Sequence, residues 1–206
     1  MITFGITTHN EGRYIKDLLD QLVPHCRSSG DEIVVVDDYS TDAETNRILL
    51  DAEERGEVKL FYHELKKDFA THKNFVKEMA YGDYIFQIDA DEILDPNLLA
   101  NIKPTIYVNR DIDLFSVPRI NIVEGMTDED IQKYGWRVND KKWIQFPDFQ
   151  HRVYRRSPDI RWEGKVHERI VGHKTQATLP AEPAWALIHL KTIERQRIQN
   201  EFYNTI

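Results

Sequence analysis

The chain has a single cysteine, Cys26, in 206 residues, which rules out an internal disulfide and any cysteine-built zinc cluster. It also lacks a run approaching the roughly 18 apolar residues that a spanning helix needs. Met1 leads straight into a strand-like segment with no signal-peptide pattern. Positive charge is in deficit: 27 Lys and Arg stand against 35 Asp and Glu, a formal net charge of −8. Such a surface does not attract phosphate backbones or anionic lipid, so a polyanionic partner would need a local basic patch. These absences lead to the expectation of a cytoplasmic protein in a reducing compartment, with no transmembrane segment. Internal repeats, low-complexity tracts and linkers are missing too. With 41% hydrophobic and 30% charged residues, the chain is expected to fold as one domain over residues 1–206.

The pattern within that domain is an alternation. Ile2 to Thr8 reads as a strand, and Ile15, Leu18, Leu19 and Leu22 then recur at helical spacing. After Ser28-Ser29-Gly30, the β-branched run Ile33 to Val36 ends in Asp37-Asp38, as expected for a strand covered on both faces. Thr41-Asp42-Ala43-Glu44 has a capping-box pattern that opens a helix to Glu54, before Gly56. Val58 to Tyr62 predict a third strand, Thr71 to Tyr81 a helix, and Tyr84 to Ile88 a fourth strand. This β-α-β-α-β-α-β order implies an α/β fold with a parallel sheet and right-handed crossovers. Asp95 before Pro96 caps a further helix, and Asp113 to Val117 predict another strand. Beyond Pro118 the alternation stops. That half reads as short strands and loops packed against the sheet, with a last helix over Thr192 to Asn204.

In an open α/β sheet, ligands bind beyond the carboxyl ends of the strands. Those ends are acidic here: Thr8-His9-Asn10-Glu11, Asp37-Asp38 and Asp89-Ala90-Asp91-Glu92. Asp-x-Asp occurs three times, at Asp89/Asp91, Asp111/Asp113 and Asp128/Asp130. Only the first follows a buried-looking strand, and the others read as solvated loop charges. Two carboxylates on such a turn suit a hard divalent cation, Mn2+ or Mg2+, with the remaining positions left to diphosphate oxygens and water.

Three segments, Thr8-His9-Asn10-Glu11, Val35-Val36-Asp37-Asp38-Tyr39-Ser40-Thr41-Asp42 and Asp89-Ala90-Asp91-Glu92, together with Lys73-Asn74, resemble the family 2 glycosyltransferases. Lys73 stands where Arg is more usual. The resemblance covers residues 2–100 and implies a GT-A fold, a Rossmann-like, mixed and mostly parallel sheet flanked by helices. It also implies a nucleotide-sugar-binding half over 1–100 and an acceptor-binding half over 101–206. Carried over, Thr8 and Glu11 flank the nucleotide, Asp38 accepts from the base, and Lys73 lies near the base or diphosphate. Asp89 and Asp91 then hold the metal, with Asp89 also beside the donor. The arrangement of Thr8, Asp38 and Lys73 resembles a uracil site, which implies a UDP-sugar.

The later stretches Phe149 to Arg156 and Ile160 to Glu168 resemble bacterial members that build surface saccharides. This implies a saccharide or glycolipid acceptor. His189, after Ala186-Leu187-Ile188, matches the place of a histidine near the metal. An inverting transfer needs a carboxylate to take the acceptor's proton. Within Val166-His167-Glu168, Glu168 is the first choice, with His167 orienting the acceptor or assisting the metal and Glu163 and Asp148 as runners-up. Trp162 and Trp143 are candidate sugar platforms, and Arg152, Arg155 and Arg156 candidate phosphate partners. Three rivals stand beside this reading. A nucleotidyltransferase would need a Gly-rich basic loop where Thr7 to Arg13 offers only Gly12. A phage-type enzyme acting on a hydroxylated DNA base is disfavoured by the charge of −8. A non-catalytic nucleotide- or carbohydrate-binding module would bind without turnover.

Overall fold

The computed structural model describes residues 1–203 and 205. The first half alternates as predicted: β1 (Ile2–Thr8), α1 (Gly12–Ser29), β2 (Glu32–Asp37), α2 (Ala43–Glu54), β3 (Lys59–Tyr62), α3 (Phe69–Met79) and β4 (Tyr84–Asp89). Strands β3-β2-β1-β4 lie side by side and all parallel. The strand order reverses between β1 and β4, which is where such sheets open a crevice. Ile15, Leu18 and Leu22 of α1 are buried in one cluster with Phe4, Phe86 and Ile88 of the sheet, each contributing about 1.5–3 kcal/mol of apolar burial. Gly30, at φ 70°, ends α1 in the left-handed conformation that glycine adopts without penalty.

Two local details decide what reaches the site. The cap of α2 is Asp42, not Thr41: its carboxylate accepts from the N–H groups of Glu44 and Thr45. Thr41 is occupied differently, because the Asn10 side-chain oxygen accepts from the N–H groups of both Thr41 and Asp42 at 2.8 and 2.9 Å. Asn10 thereby ties the loop after β1 to the loop after β2. In β1, a Cβ on Gly5 would stand 2.4 Å from Val76 of α3, so only glycine lets that helix sit so close to the sheet. Helix α3 starts two residues before the predicted Thr71, because Asp68 caps it through the Thr71 N–H.

The second half departs further from expectation. After β5 (Glu92–Leu94) and α4 (Pro96–Val108), the predicted strand does not stop at Val117. It runs on as β6 (Leu114–Glu124) and pairs with the similarly long β7 (Ile144–Arg155). Pro118 is tolerated because two short strands share the other edge of β6: β10 (Gln176–Thr178) pairs up to Ser116 and β11 (Leu187–Thr192) from Arg119 onward. Proline falls at the junction, where its missing N–H breaks no pairing on that edge. Far from packing against the sheet, β6, β7 and β11 are part of it, in the order β3-β2-β1-β4-β7-β6-β11-β5. The sheet is mixed: β7 is antiparallel to both neighbours and β5 is antiparallel to β11, while the other pairings are parallel. A small ribbon, β8 (Arg161–Glu163) with β9 (Arg169–Val171), stands apart.

Helix α5 (Asp128–Tyr134) makes Asp130 a capping residue, bonded to Thr127 and paired with Arg197 at 2.9 Å, rather than a solvated loop charge. Asp113 is likewise engaged, by Arg155 and the Lys174 N–H. The last helix, α6, spans Ile193–Tyr203. Asn204, where the sequence places its end, lies outside the described residues.

Candidate active site

A cleft of about 560 Å³ opens beyond the carboxyl ends of β1, β2 and β4. Thr8, Glu11, Asp38, Lys73, Asp89, Asp91, His167, Glu168 and His189 all border it. The structure therefore brings these nine residues to one space, although Glu11 and His189 are separated by most of the chain.

At the β2 end, Asp38 accepts from the Leu65 N–H at 2.8 Å, and its backbone oxygen lies 2.7 Å from His9 Nδ1. Thr8 Oγ1 is buried without a partner, a polar atom available to a ligand. Behind them His72 is buried with its Nδ1 3.1 Å from Nδ1 of His63, so one ring donates and the other accepts. Burial pushes the His72 imidazole down to about 4, so at neutral pH it is uncharged.

The Asp89 turn is a charge lattice. Arg152, only 4% exposed at its side chain, reaches Asp89 at 2.6 Å and Glu92 at 2.7 Å. Glu92 also braces the turn through the Asp89 N–H at 3.1 Å and takes Arg119 at 3.2 Å. Lys73, brought close by the packing of α3 at Gly5, lies 3.5 Å from Asp89 and 2.6 Å from Glu168. Burial alone would raise the Asp89 carboxyl, but the charges of Arg152 and Lys73 outweigh it and hold it far below the usual carboxylate range.

Asp91 faces another set. Its Oδ2 lies 3.1 Å from His189 Nε2 and 3.5 Å from Arg195, which also contacts Glu11. These partners outweigh burial and keep the Asp91 carboxyl below its ordinary value. His189 Nδ1 is 3.0 Å from the Asn121 side-chain oxygen. Donation from Nδ1 to that oxygen fixes the ring so that Nε2 faces Asp91, where a bound cation would replace the Nε2–Oδ2 contact with ligation by both atoms. Two donors about 3 Å apart match one edge of an octahedron with bonds of about 2.1 Å. Among the described residues no group of three or more such side chains is gathered as a cation cage. Mg2+ and similar ions are commonly bound by one or two protein ligands with substrate oxygens and water, so Asp91 and His189 fit a divalent cation that shares its shell with a diphosphate. Asp89, the other acid of the turn, pairs with Arg152 and Lys73 in this structure.

Other candidates are engaged by protein partners. Trp162 is buried, edge-on to Tyr154 and capped by Lys73 at 4.8 Å, so it packs the wall rather than offering a free platform. Trp143 packs on Phe146 and does not line the cleft. Arg155 is taken by Asp113, and Arg156 by the Gly82 carbonyl. Glu163 is exposed and paired with Arg161, and Asp148 is held by Arg119, Asn121 and Gln150. The motifs did not reveal Arg119, Lys191, Arg195 and Tyr203, which also line the cleft. A signal existed for two of them. Arg119 and Asn121, Asp148, Gln150 and Arg152, and His189 and Lys191 recur at period 2, which puts polar side chains on one face of each strand.

Glycosyl transferase family 2 is the family whose model matches residues 3–172. The SPbeta prophage-derived glycosyltransferase SunS of Bacillus subtilis is 29% identical over 168 residues, 81% of this chain and 34% of that protein. An uncharacterized protein, y4gI, of Sinorhizobium fredii is 32% identical over 97 residues, 47% of this chain and 11% of that one. The chain thus spans about a third or less of the length of these curated relatives. Among solved structures, S. aureus TarS 1-349 superposes with a TM-score of 0.63 at 17% identity, covering 92% of this chain and 60% of that one. Its complex with UDP-GlcNAc gives 0.62 at 18% identity, with 92% and 58% covered. That likeness fixes the GT-A architecture. Since the family model spans well over half of its residues, the chain belongs to glycosyl transferase family 2.

Proposed function

We propose that the protein moves a sugar from a UDP-sugar to a hydroxyl of a saccharide or glycolipid, with inversion and with Mn2+ or Mg2+. The observation that carries this reading is the pair Asp91 and His189, 3.1 Å apart and oriented by Asn121, at the mouth of a cleft ringed by the motif residues. In this reading Thr8 and Asp38 hold the nucleoside. Lys73 lies toward the diphosphate, Asp89 beside the donor, and Asp91 with His189 holds the cation. A cation there would neutralise the departing diphosphate. The fold neighbour crystallised with UDP-GlcNAc lends support to the uridine assignment.

The acceptor proton goes to Glu168. Its Oε1 accepts from Lys73 at 2.6 Å, which leaves Oε2 as the atom that takes the proton. His167, in the left-handed region at φ 55°, is held in a conformation that non-glycine residues adopt at a cost and that recurs at functional sites. The orienting role assigned to it rests on that conformation and on its place in the cleft wall. The test is a donor panel: release of nucleoside diphosphate in the presence of Mn2+, with thermal stabilisation by UDP exceeding that by GDP. Equal shifts remove the uridine assignment. Binding without release of diphosphate from any donor favours the binding-module reading.

A further inference from the structure

Helix α6 borders the cleft through Arg195, Gln196, Gln199 and Tyr203, with little to hold it. Only Ile193 of the helix is buried. The remainder rests on Phe69 against Phe202 and Tyr203, on Lys191 to Gln199 at 3.0 Å, and on Arg197 to Asp130. Elements with so few buried apolar contacts open at low free-energy cost. Arg195 is the residue by which this helix touches the acidic floor. Its guanidinium contacts Glu11, lies 3.5 Å from Asp91 Oδ2, and packs 5.2 Å over the Tyr14 ring. The second Glu11 oxygen is buried with no partner. One arginine thus serves two carboxylates and leaves an acceptor oxygen unsatisfied.

We infer that Arg195 stands in for the divalent cation when none is bound. Cation binding at Asp91 releases it, with α6, toward the donor's diphosphate. The inference rests on the proposed cation site and goes beyond it by making the helix position depend on the cation. A dication on Asp91 and a guanidinium beside the same oxygen repel each other. The side chain that can yield is the one on the loosely seated helix. Displaced from Asp91, Arg195 carries the charge and fork geometry that a diphosphate accepts. Cation and donor then close the site together, and α6 is its strap.

The test compares the parent with Arg195→Met, Arg195→Lys and, as a control on the same helix, Ile198→Ala at a side chain 67% exposed. Unbound Mn2+ is followed by electron paramagnetic resonance with and without UDP, and circular dichroism confirms folding. Without nucleotide, Arg195→Met is expected to bind Mn2+ about tenfold more tightly than the parent, within the span of ordinary coupling between sites. At saturating Mn2+ it is expected to bind UDP more weakly. Arg195→Lys and Ile198→Ala should follow the parent in Mn2+ affinity. A folded Arg195→Met that binds Mn2+ no more tightly than a parent that does bind it overturns the inference alone. So does Arg195→Met with unchanged UDP affinity. A parent that binds no Mn2+ with or without UDP overturns the cation site and this inference with it.

Discussion

The two halves of the chain bring opposite charges to the same place. Residues before 95 supply the acids Glu11, Asp38, Asp89, Asp91 and Glu92, and residues after 118 supply Arg119, Arg152, His189 and Arg195 to answer four of them. Lys73 with Glu168 is the one pair that runs the other way. The acids sit at strand ends and in the turns beside them, so their places follow from local chain geometry. The cations sit on β6, β7 and β11 and on α6, and find their partners only after the sheet closes. Local sequence writes the acidic half of the site, and topology writes the basic half.

The largest effect that would break this picture is at Asp91. Asp91→Asn removes charge without changing shape, and Mn2+-dependent UDP binding should vanish in isothermal titration while the fold stays intact. Asp113→Asn should leave binding untouched and lower stability by about 1 kcal/mol, since Asp113 accepts from Arg155 and the Lys174 N–H. If both variants bind like the parent, the acids of the β4 turn are not the cation site.

Next in size is the reversed pair. Glu168→Gln should lower turnover by roughly 10²–10⁴ with donor affinity nearly unchanged, the scale of one acid–base group. Retained turnover per folded molecule with a lower Tm would make Glu168 a structural partner of Lys73 and move the base elsewhere.

Comparable in free energy, but read in unfolding, is the cross-half bridge. Arg152→Met leaves the fully buried Glu92 beside the partly exposed Asp89 without their shared cation, and urea unfolding should show a loss of about 3–5 kcal/mol. Arg155→Met, at a side chain 33% exposed, should cost about 0–1 kcal/mol. Equal losses would mean that the bridge between the halves is no tighter than a surface pair.

Smallest is an acid effect within the first half. His72 titrates near 4 in the fold, against an ordinary 6.5. Below 6.5 the unfolded chain takes up the proton more readily than the native one. The contribution is therefore complete above pH 6.5 and is lost as pH falls toward 4, to a limit of about 3 kcal/mol. The loss between pH 7 and 4.5 should be smaller for His72→Gln than for the parent. An equal loss would place the acid sensitivity in other groups.

The same contrast explains what could be read from the sequence. Helices α1, α2 and α4 and strands β1 to β4 announce themselves by period and caps, and the strand-end acids with them. Pro118 hid the continuation of β6, because a proline in a central strand is ordinarily evidence against one, and the split edge that admits it is a tertiary fact. The cap of α2 was misplaced by one residue because Asn10, more than thirty positions away, already occupies the Thr41 N–H. Arg195 gave no signal at all: it is one charge on a helix whose partner, Glu11, is 184 residues distant.

The pairing of β11 sets Glu92 of β5 and Asn121 of β6 on either side of His189. A slip of one residue along either neighbour would turn His189 and Lys191 to the opposite face and offer Ile188 and Leu190 to the cleft. The alternation along β11, with Leu187, His189 and Lys191 buried and Ile188 and Leu190 only partly so, shows how little apolar preference guards against that slip. The polar contacts of the site are themselves the proofreaders of strand alignment. In refolded protein, the fraction of molecules able to bind cation would count the fraction in which the last strand has found its place.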